Sequence, residues 1–447
     1  MDDDGPAALA RVEKALEQRF PSRMVPDLDR ITDLLDILGS PQRAYPSIHI
    51  TGTNGKTSTA RMVDALLREF GIRTGRFTSP HLESVVERIA LDGAPVTPEV
   101  FAAAYDDIAP YVEMVDGRHP DRMTFFELLA GMAFVTFADA PVDVAVVEVG
   151  LGGRWDATNV VNAATAVVTP IGLDHVGLLG DTVEAIAAEK AGIIHAGATA
   201  VIAAQPEAAM AQLRARAAEV GATVRSEGVD YGVRSRTLAV GGQLLELEGI
   251  GGTYDGIVLP LHGAHQAGNA ATALAAVEAF FGAGERGSLD IDVVREGFAQ
   301  VTSPGRLEVV RRGPTVLLDG AHNPAGAAAL ATAIEDEFDF ARLVAVVAVL
   351  DDKDVAGLLG ELEPVVDSVV VTTNTSPRAL PVDALAEVAV EVFGDHRVLP
   401  AARLDDAIER AIALAEAGPL GGGGVLVTGS IVTVGEARRL FRAGAAT

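Results

Sequence analysis

The densest chemistry in the chain lies in ten residues, His49-Ile50-Thr51-Gly52-Thr53-Asn54-Gly55-Lys56-Thr57-Ser58. They read as a buried strand, a tight turn and a helix start. Glycines at 52 and 55 let the backbone bend so that successive N–H groups face one anion. A helix N-terminus adds free N–H donors and a positive dipole end. Lys56 is spaced to reach terminal phosphates, and the Thr57 hydroxyl to hold Mg²⁺. The general pattern G-x-x-x-x-G-K-[ST] asks for glycine at position 50, where this chain has Ile50; the working core Gly55-Lys56-Thr57 survives. Three further polar residues follow apolar runs: Glu148 at the end of 142–149, His175 just past 164–169, and Ser79 in the loop after a third strand. Ligands gather at the carboxyl ends of parallel strands, so all three are placed to face the phosphate loop. Carboxylate, hydroxyl and imidazole complete metal shells whose other ligands are phosphate oxygens and water. Mg²⁺ prefers oxygen, and a capping or core role serves His175 equally.

The elements that must position these groups follow from periodicity and punctuation. Leu9, Val12, Leu16 and Phe20 predict a helix over 7–20 that stops before Pro21; Ile31, Leu34, Leu35 and Leu38 predict another, stopped by Gly39. The helix after the phosphate loop runs to about Phe70 and closes at Gly71. Thr97-Pro98 is an N-cap with proline at the first helical position. Thr124 with Glu127 is a capping box opening a helix over 125–138. Asp181 with Glu184 caps a helix that carries Lys190 and stops at Gly192. The runs 142–149 and 164–169 lack apolar/polar alternation, as strands covered on both faces do; 198–203 is another short strand. Residues 222–258 shift to alternating segments with turns at Gly241-Gly242 and Gly251-Gly252, which predicts an antiparallel patch. Residues 264–281 read as an alanine-rich helix. Ser303-Pro304-Gly305-Arg306 looks like a joint. After it the βα rhythm restarts, with strands at 315–319, 343–349, 367–373, 396–400 and 424–428, the last entered through glycines at 421–424. The alternation predicts the α/β class, with a parallel sheet on each side of the joint.

Composition narrows the function. The 447 residues, 49% of them hydrophobic, suit two or three domains with ample core. A net charge of −27 argues against nucleic-acid or anionic-membrane binding, while local Lys and Arg can still reverse the sign in a cleft for a small anion. The chain has no cysteine, which removes disulfides, thiol nucleophiles and thiolate metal sites together. The start, Met1-Asp2-Asp3-Asp4-Gly5, lacks the apolar stretch of a secretory signal. The run 343–350 falls far short of the roughly 20 residues that span a bilayer. The expectation is a soluble cytoplasmic protein.

Longer motifs add a resemblance. The phosphate loop has the form found in the Mur ligase superfamily. Thr78-Ser79-Pro80-His81-Leu82 with Glu87-Arg88-Ile89, Glu148-Val149-Gly150-Leu151-Gly152-Gly153-Arg154 with Asp156-Ala157-Thr158-Asn159, and Leu318-Asp319-Gly320-Ala321-His322-Asn323-Pro324 resemble folylpolyglutamate synthase and dihydrofolate synthase. The resemblance spans most of the chain in order. It implies a P-loop, Mur-ligase-like central domain with a parallel sheet over 1–302 and a smaller Rossmann-like α/β domain over 303–447.

It also implies roles. Thr53, Asn54, Gly55, Lys56, Thr57, Ser58, Asn269, Arg306, Asp319 and His322 match residues around ATP. Ser79, Glu148 and His175 match ligands of two Mg²⁺ ions, with Thr57 added by the phosphate-loop pattern. Lys190, in Glu189-Lys190-Ala191-Gly192-Ile193, matches a lysine carried as a carbamate; otherwise it is a helix-end lysine complementing the dipole. Leu28, Asp29, Arg30, Thr124, Phe125, Phe126, Glu127, Gly152, Gly153 and Arg154 match pterin-contacting segments, although Phe125 and Phe126 serve equally as core residues at a helix start. Asp352, Lys353 and Asp354, with Ser376 and Ser430, sit in loops placed to meet L-glutamate or simply to be solvated. Trp155, Val176 and His195 depart from the family pattern without removing a ligand.

The implied reaction is amide ligation in a monomer, with no membrane or nucleic-acid partner. ATP phosphorylates a carboxylate of dihydropteroate or of a reduced folate, and the amine of L-glutamate displaces the phosphate. Lys56, His81 and Arg154 are candidates to stabilise the oxyanion, and no side-chain nucleophile is needed. A folylpolyglutamate synthase with the single activity, a cell-wall Mur ligase and a nucleotide-dependent regulatory protein are the alternatives. The second of these usually carries a domain before the phosphate loop, where this sequence has about fifty residues. Lys56→Ala is expected to keep the fold and abolish ligase turnover; a variant with wild-type turnover would sink the assignment.

Overall fold

The computed structural model describes residues 4–20, 25–284, 287–417 and 422–444; Met1 to Asp3, Pro21 and Gly421, on which parts of the sequence expectation fall, lie outside the described residues. Eight strands come first: β1 (Ser47–Thr51), β2 (Thr74–Phe77), β3 (Ile89–Leu91), β4 (Ala94–Pro95), β5 (Val144–Glu148), β6 (Thr165–Val168), β7 (Thr199–Ile202) and β8 (Thr223–Ser226). They form one sheet in the order β4-β3-β2-β5-β1-β6-β7-β8. From β2 to β8 all neighbours are parallel, and β3 and β4 add an antiparallel edge.

Every residue of β1 and β5 is buried, because helices cover both faces, as the unbroken apolar runs require. Helices Asp29–Ile37, Pro98–Asp116 and Phe125–Asp139 enclose a core around Leu34, Phe101 and Phe134 on one face. Helices Lys56–Glu69 and Ala264–Phe281 close the other around Val63, Leu66 and Leu274. From β1 the chain crosses to β2, returns to β5 beside β1, then extends the other way through β6, β7 and β8. The strand order reverses at β1, so a crevice opens at its carboxyl end. The phosphate loop leaves β1 at that point.

Strands β9 (Gly232–Ala239), β10 (Gly242–Glu248) and β11 (Thr253–Leu259) form the small antiparallel sheet. It begins later than the sequence expectation of 222: residues 223–226 are β8, parallel to β7. An edge strand is covered less evenly than a central one, so β8 runs from exposed to buried and mimics an antiparallel pattern. The cap of the helix Val183–Lys190 also differs. Thr182, not Asp181, accepts the hydrogen bond from Ala185 N at 3.2 Å; both residues suit an N-cap, and Thr182 holds the extended backbone that the position requires.

Past residue 303 the third sheet contains β12 (Glu308–Arg312), β13 (Thr315–Leu318), β14 (Arg342–Val347), β15 (Ser368–Val371), β16 (Val398–Pro400) and β17 (Gly423–Thr428). Their order is β12-β13-β17-β14-β15-β16, parallel except for β12. Cores around Leu317, Val347 and Leu359 on one face and Val344, Ile408 and Val425 on the other sandwich this sheet. The described residues contain no helix long and apolar enough to cross a membrane.

His49 on β1 is fully buried, its Nε2 2.8 Å from Thr158 Oγ1. Burial, aided by His195, pushes its pKa from 6.5 down to about 3. The unfolded chain therefore takes up a proton below pH 6.5 that the folded chain refuses. This contribution to stability is intact above pH 6.5 and is lost progressively toward pH 3. Between pH 7.5 and 5.5 this one group should lower stability by about 1.4 kcal/mol. Urea midpoints of the wild type and of His49→Gln across that interval test it: the variant should show the smaller pH slope, and equal slopes would refute the assignment to His49.

Candidate active site

Two close approaches shape the turn after β1. Gly52 (φ +148) lies against the end of β6, where a Cβ would sit 1.9 Å from Thr169 Oγ1; Gly55 (φ +86) lies against Asn269, where a Cβ would sit 2.5 Å from Oδ1. Neither position admits a side chain. Thr53 N donates to Pro170 O at 2.9 Å. Thr53 Oγ1 donates to Gly172 O at 3.0 Å and accepts from Gly172 N at 3.1 Å. The turn is thereby pinned to the segment that carries Asp174 and His175. No side chain among the described residues caps the helix Lys56–Glu69, so its first N–H groups are left for a ligand.

The charges converge on this turn. Lys56 Nζ donates to Gly52 O and Thr53 O, both at 3.1 Å. Lys190 Nζ, at the end of its helix, donates to the same Gly52 O at 2.8 Å. Burial lowers the pKa of Lys56, with Glu148 and Asp174 opposing. Burial and then the charge of Lys56 bring Lys190 down to about 7. Glu148, buried at the end of β5, accepts from Thr57 Oγ1 at 2.9 and 3.0 Å and from Ser79 N at 3.3 Å. Burial raises its pKa, and Lys56 pulls it back. The glycine loop after β5 lies on the end of the Lys190 helix. A Cβ at Gly153 would come within 2.8 Å of Lys190 O, Arg154 N donates to Glu189 O at 3.0 Å, and Gly152 O accepts from Thr51 Oγ1 at 2.7 Å.

The third sheet closes over this turn through Asp174. Its Oδ1 accepts from Lys353 Nζ at 2.7 Å; its Oδ2 accepts from Asn323 Nδ2 at 3.2 Å and faces His322 Nε2 at 3.4 Å. The amides of Asn54 and Asn323 exchange two hydrogen bonds of 3.1 Å. Burial pushes Asp174 up, but the His322 hydrogen bond and the charges of His175 and Lys353 outweigh it and hold the carboxyl well below the usual range. Burial pushes His175 down to about 4 against the pull of Asp174. Asp319 receives Leu307 N and Ala321 N, each at 2.8 Å. The two sheets wall one cavity of about 590 Å³ that brings together the phosphate loop, Ser79, Glu148, His175, Lys190, Asn269, Arg306, Asp319 and His322.

Thr57, Ser79 and Glu148 place hydroxyl and carboxylate oxygens on one wall, a donor set that suits a hard cation such as Mg²⁺. Among the described residues no three His, Asp or Glu side chains gather into a metal cluster, and His175 Nε2 lies 3.4 Å from Lys353 Nζ. Phosphate oxygens and water would have to supply the rest of any metal shell.

The Mur ligase middle domain model matches residues 50–277, and the model of the Mur ligase glutamate ligase domain matches residues 305–431. The chain is 56% identical to a dihydrofolate synthase/folylpolyglutamate synthase of Mycobacterium tuberculosis, over 97% of this chain and 94% of that one. The chain belongs to the folylpolyglutamate synthase/dihydrofolate synthase family of Mur ligases. The Escherichia coli member is 33% identical over 93% of this chain and 91% of its own. The M. tuberculosis folylpolyglutamate synthase complexed with ADP superposes with a TM-score of 0.94 at 56% identity, covering 98% of this chain and 99% of that chain. E. coli FolC in complex with DHPP and ADP gives 0.85 at 30% identity, covering 99% and 100%.

Other residues implied by the family resemblance lie around this cavity or outside it. Arg30 is buried and pairs with Glu127 (3.1 Å) and Asp27 (3.3 Å), while Glu127 closes the capping box on Thr124. Leu28 N-caps that arginine's helix, and Asp29 opens it, exposed. Phe125 lies at the margin of the core: half-buried and packed against the first core, it also stacks on exposed Phe20 at 4.5 Å, with the Arg88 guanidinium 5.2 Å from its ring. Phe126 packs on Gly150 and Phe77. Neither His81, which accepts from Arg88 Nε at 3.0 Å, nor exposed Arg154 lines the cavity, so of the three oxyanion candidates only Lys56 does. Lys353 and Ser430 line it. Asp354 instead caps the helix Val355–Leu362, Ser376 Oγ accepts from Arg378 N, and Asp352 pairs with Arg378 at 3.5 Å. Sequence reasoning missed Asp174 as a candidate, although a carboxylate beside a proposed ligand was the available signal.

Asp174 and Lys353 are both nearly buried, so removing one charge strands the other. Asp174→Asn is expected to cost about 3 kcal/mol in urea unfolding; a cost near that of an exposed pair, below about 1 kcal/mol, would show that the clasp is solvated.

Proposed function

We propose that the protein joins L-glutamate to dihydropteroate and to the γ-carboxylate of reduced folates, with ATP as the energy source. The observation that carries this reading is the single cavity in which a phosphate loop from one sheet faces Arg306, Asp319 and His322 from the other. The γ-phosphoryl group passes to the substrate carboxylate and ADP leaves. The glutamate nitrogen then forms a bond to the carbonyl carbon as the C–O bond to phosphate breaks. Lys56 and the N–H groups of the turn hold the transferring phosphoryl group and offset its charge. Arg306 neutralises phosphate charge, Asp319 binds the nucleotide hydroxyls, and Asn269 packs beneath the turn. Two Mg²⁺ ions, held by Thr57, Ser79, Glu148, His175 and a carbamylated Lys190, supply further charge neutralisation when bound. A carbamate suits Lys190 because it turns a buried cation beside Lys56 into an oxygen ligand. The pterin ring lies along Arg30, Phe125 and the glycine loop, and L-glutamate near Lys353 and Ser430. The protein acts as a monomer in the cytoplasm.

The deciding experiment measures Mg²⁺-dependent ADP release with L-glutamate, with dihydropteroate and tetrahydrofolate in separate tubes and with or without bicarbonate. Turnover with both acceptors is expected, raised by bicarbonate in carbonate-depleted protein. Turnover with one acceptor leaves a single activity, turnover with neither defeats the reading, and indifference to bicarbonate removes the carbamate.

A further inference from the structure

The loop that carries Ser79 is held from two sides. Ser79 N donates to Glu148 inside the cavity. A few residues on, the N–H groups of Leu82, Glu83 and Ser84 all donate to the Glu87 carboxylate at 2.9 Å, which stiffens the segment. The Glu83 side chain leaves this segment toward the third sheet, where the helix Ile431–Gly444 meets it. Ile431 and Val432, in the first turn of that helix, line the cavity. Gly435 lets loop and helix touch: a Cβ there would come 1.9 Å from Leu82 O. Arg439 Nη1 donates to Glu83 O, and exposed Arg442 Nη1 to Glu83 Oε2, each at 3.0 Å.

Arg438 extends this contact to the joint between the sheets. Its Nη1 pairs with Glu83 Oε1, and its Nε donates to the Glu308 carboxylate at 2.9 and 3.0 Å. Glu308, on β12, also accepts from Gly305 N at 2.8 Å, and Gly305 O accepts from Gly320 N at 2.9 Å. Arg306 and Asp319 are the chain neighbours of those two glycines, and both line the cavity. One largely buried guanidinium therefore ties the Ser79 loop to the segment of Arg306, while Arg438 itself does not line the cavity. The rigid fork of donors suits Arg438 to hold two carboxylates at once, which a single ammonium point cannot do as well. We propose that Arg438 is a positioning residue for phosphoryl transfer. Through Glu83 it sets where Ser79 stands, and through Glu308 where Arg306 stands, so that both register on one nucleotide. The assignment rests on the ATP-dependent reaction proposed above and on Ser79 as a Mg²⁺ ligand in it. A mere strut between the sheets would stabilise the fold and leave the Mg²⁺ dependence alone.

Arg438→Gln, Glu83→Gln and the double variant test it, each compared with wild type in two measurements. One is the turnover number for ADP release with tetrahydrofolate and L-glutamate. The other is the Mg²⁺ concentration at half-maximal binding of a fluorescent, non-hydrolysable ATP analogue, which needs no turnover. Arg438→Gln is expected to lower turnover about ten- to a hundredfold and to raise the Mg²⁺ midpoint about tenfold. The double variant should lose no more than about threefold beyond Arg438→Gln, because both changes break one bridge. A Mg²⁺ midpoint that stays at the wild-type value in Arg438→Gln overturns the proposal, and so do losses that multiply in the double variant. Should Arg438→Gln lack a cooperative urea transition, Glu83→Gln carries the test. It keeps the size of the side chain and one acceptor oxygen, and it must raise the Mg²⁺ midpoint in the same direction; an unmoved midpoint there overturns the proposal too. Wild type without Mg²⁺-dependent turnover defeats the underlying reaction instead, before any variant is compared.

Discussion

The carbonyl oxygen of Gly52 accepts hydrogen bonds from two lysines, Lys56 and Lys190, that arrive from different helices, and the site is built around that shared acceptor. Two unit charges about 4 Å apart repel by about 4 kcal/mol near a protein surface, and by more where water is excluded. Opposite charge must therefore stand close by, and Glu148 and Asp174 supply it. The carbonyl can point inward only because Gly52 holds a backbone conformation that excludes a side chain against Thr169. The lysine pair, the two carboxylates and the glycine are thus one electrostatic requirement met by five positions.

The same requirement explains why part of the site was legible in the sequence. The phosphate loop announces itself because strand, glycine spacing and helix start are all local. Glu148 could be placed because an unbroken apolar run ends on it, and strand ends face the crevice. Local rules also located Thr97, Thr124 and the strands beyond the joint. They failed where tertiary context decides. Asp174 meets Asn323 and Lys353, 149 and 179 positions away in sequence, and the one local hint, its place beside His175, does not name those partners. His81 and Arg154 stand beside functional motifs, yet their local backbones turn them toward Arg88 and solvent. Phe125 illustrates a subtler limit. It packs against the core as a helix-start aromatic normally does, yet it also stacks on exposed Phe20, beneath an arginine.

Glycine also governs how the layers meet. The loop after β5 lies flat on the end of the Lys190 helix, with Gly153 against Lys190 and Gly192 against Arg154. That contact sets the height of Lys190 over the turn. The position from which the lysine reaches Gly52 is therefore set by backbone packing at the end of its own helix.

The clasp through Asp174, Asn54 and Asn323 has a consequence for chemical economy. An acyl phosphate is prone to hydrolysis, and its useful lifetime depends on how well bulk solvent is kept from it. Because the roof over the phosphate loop is tied down by groups next to the reacting centre, the shelter tightens at the same place where the activated species forms. The fidelity of the enzyme, counted as amide bonds made per nucleotide consumed, is then set by the fit between two sheets as much as by any single reactive side chain.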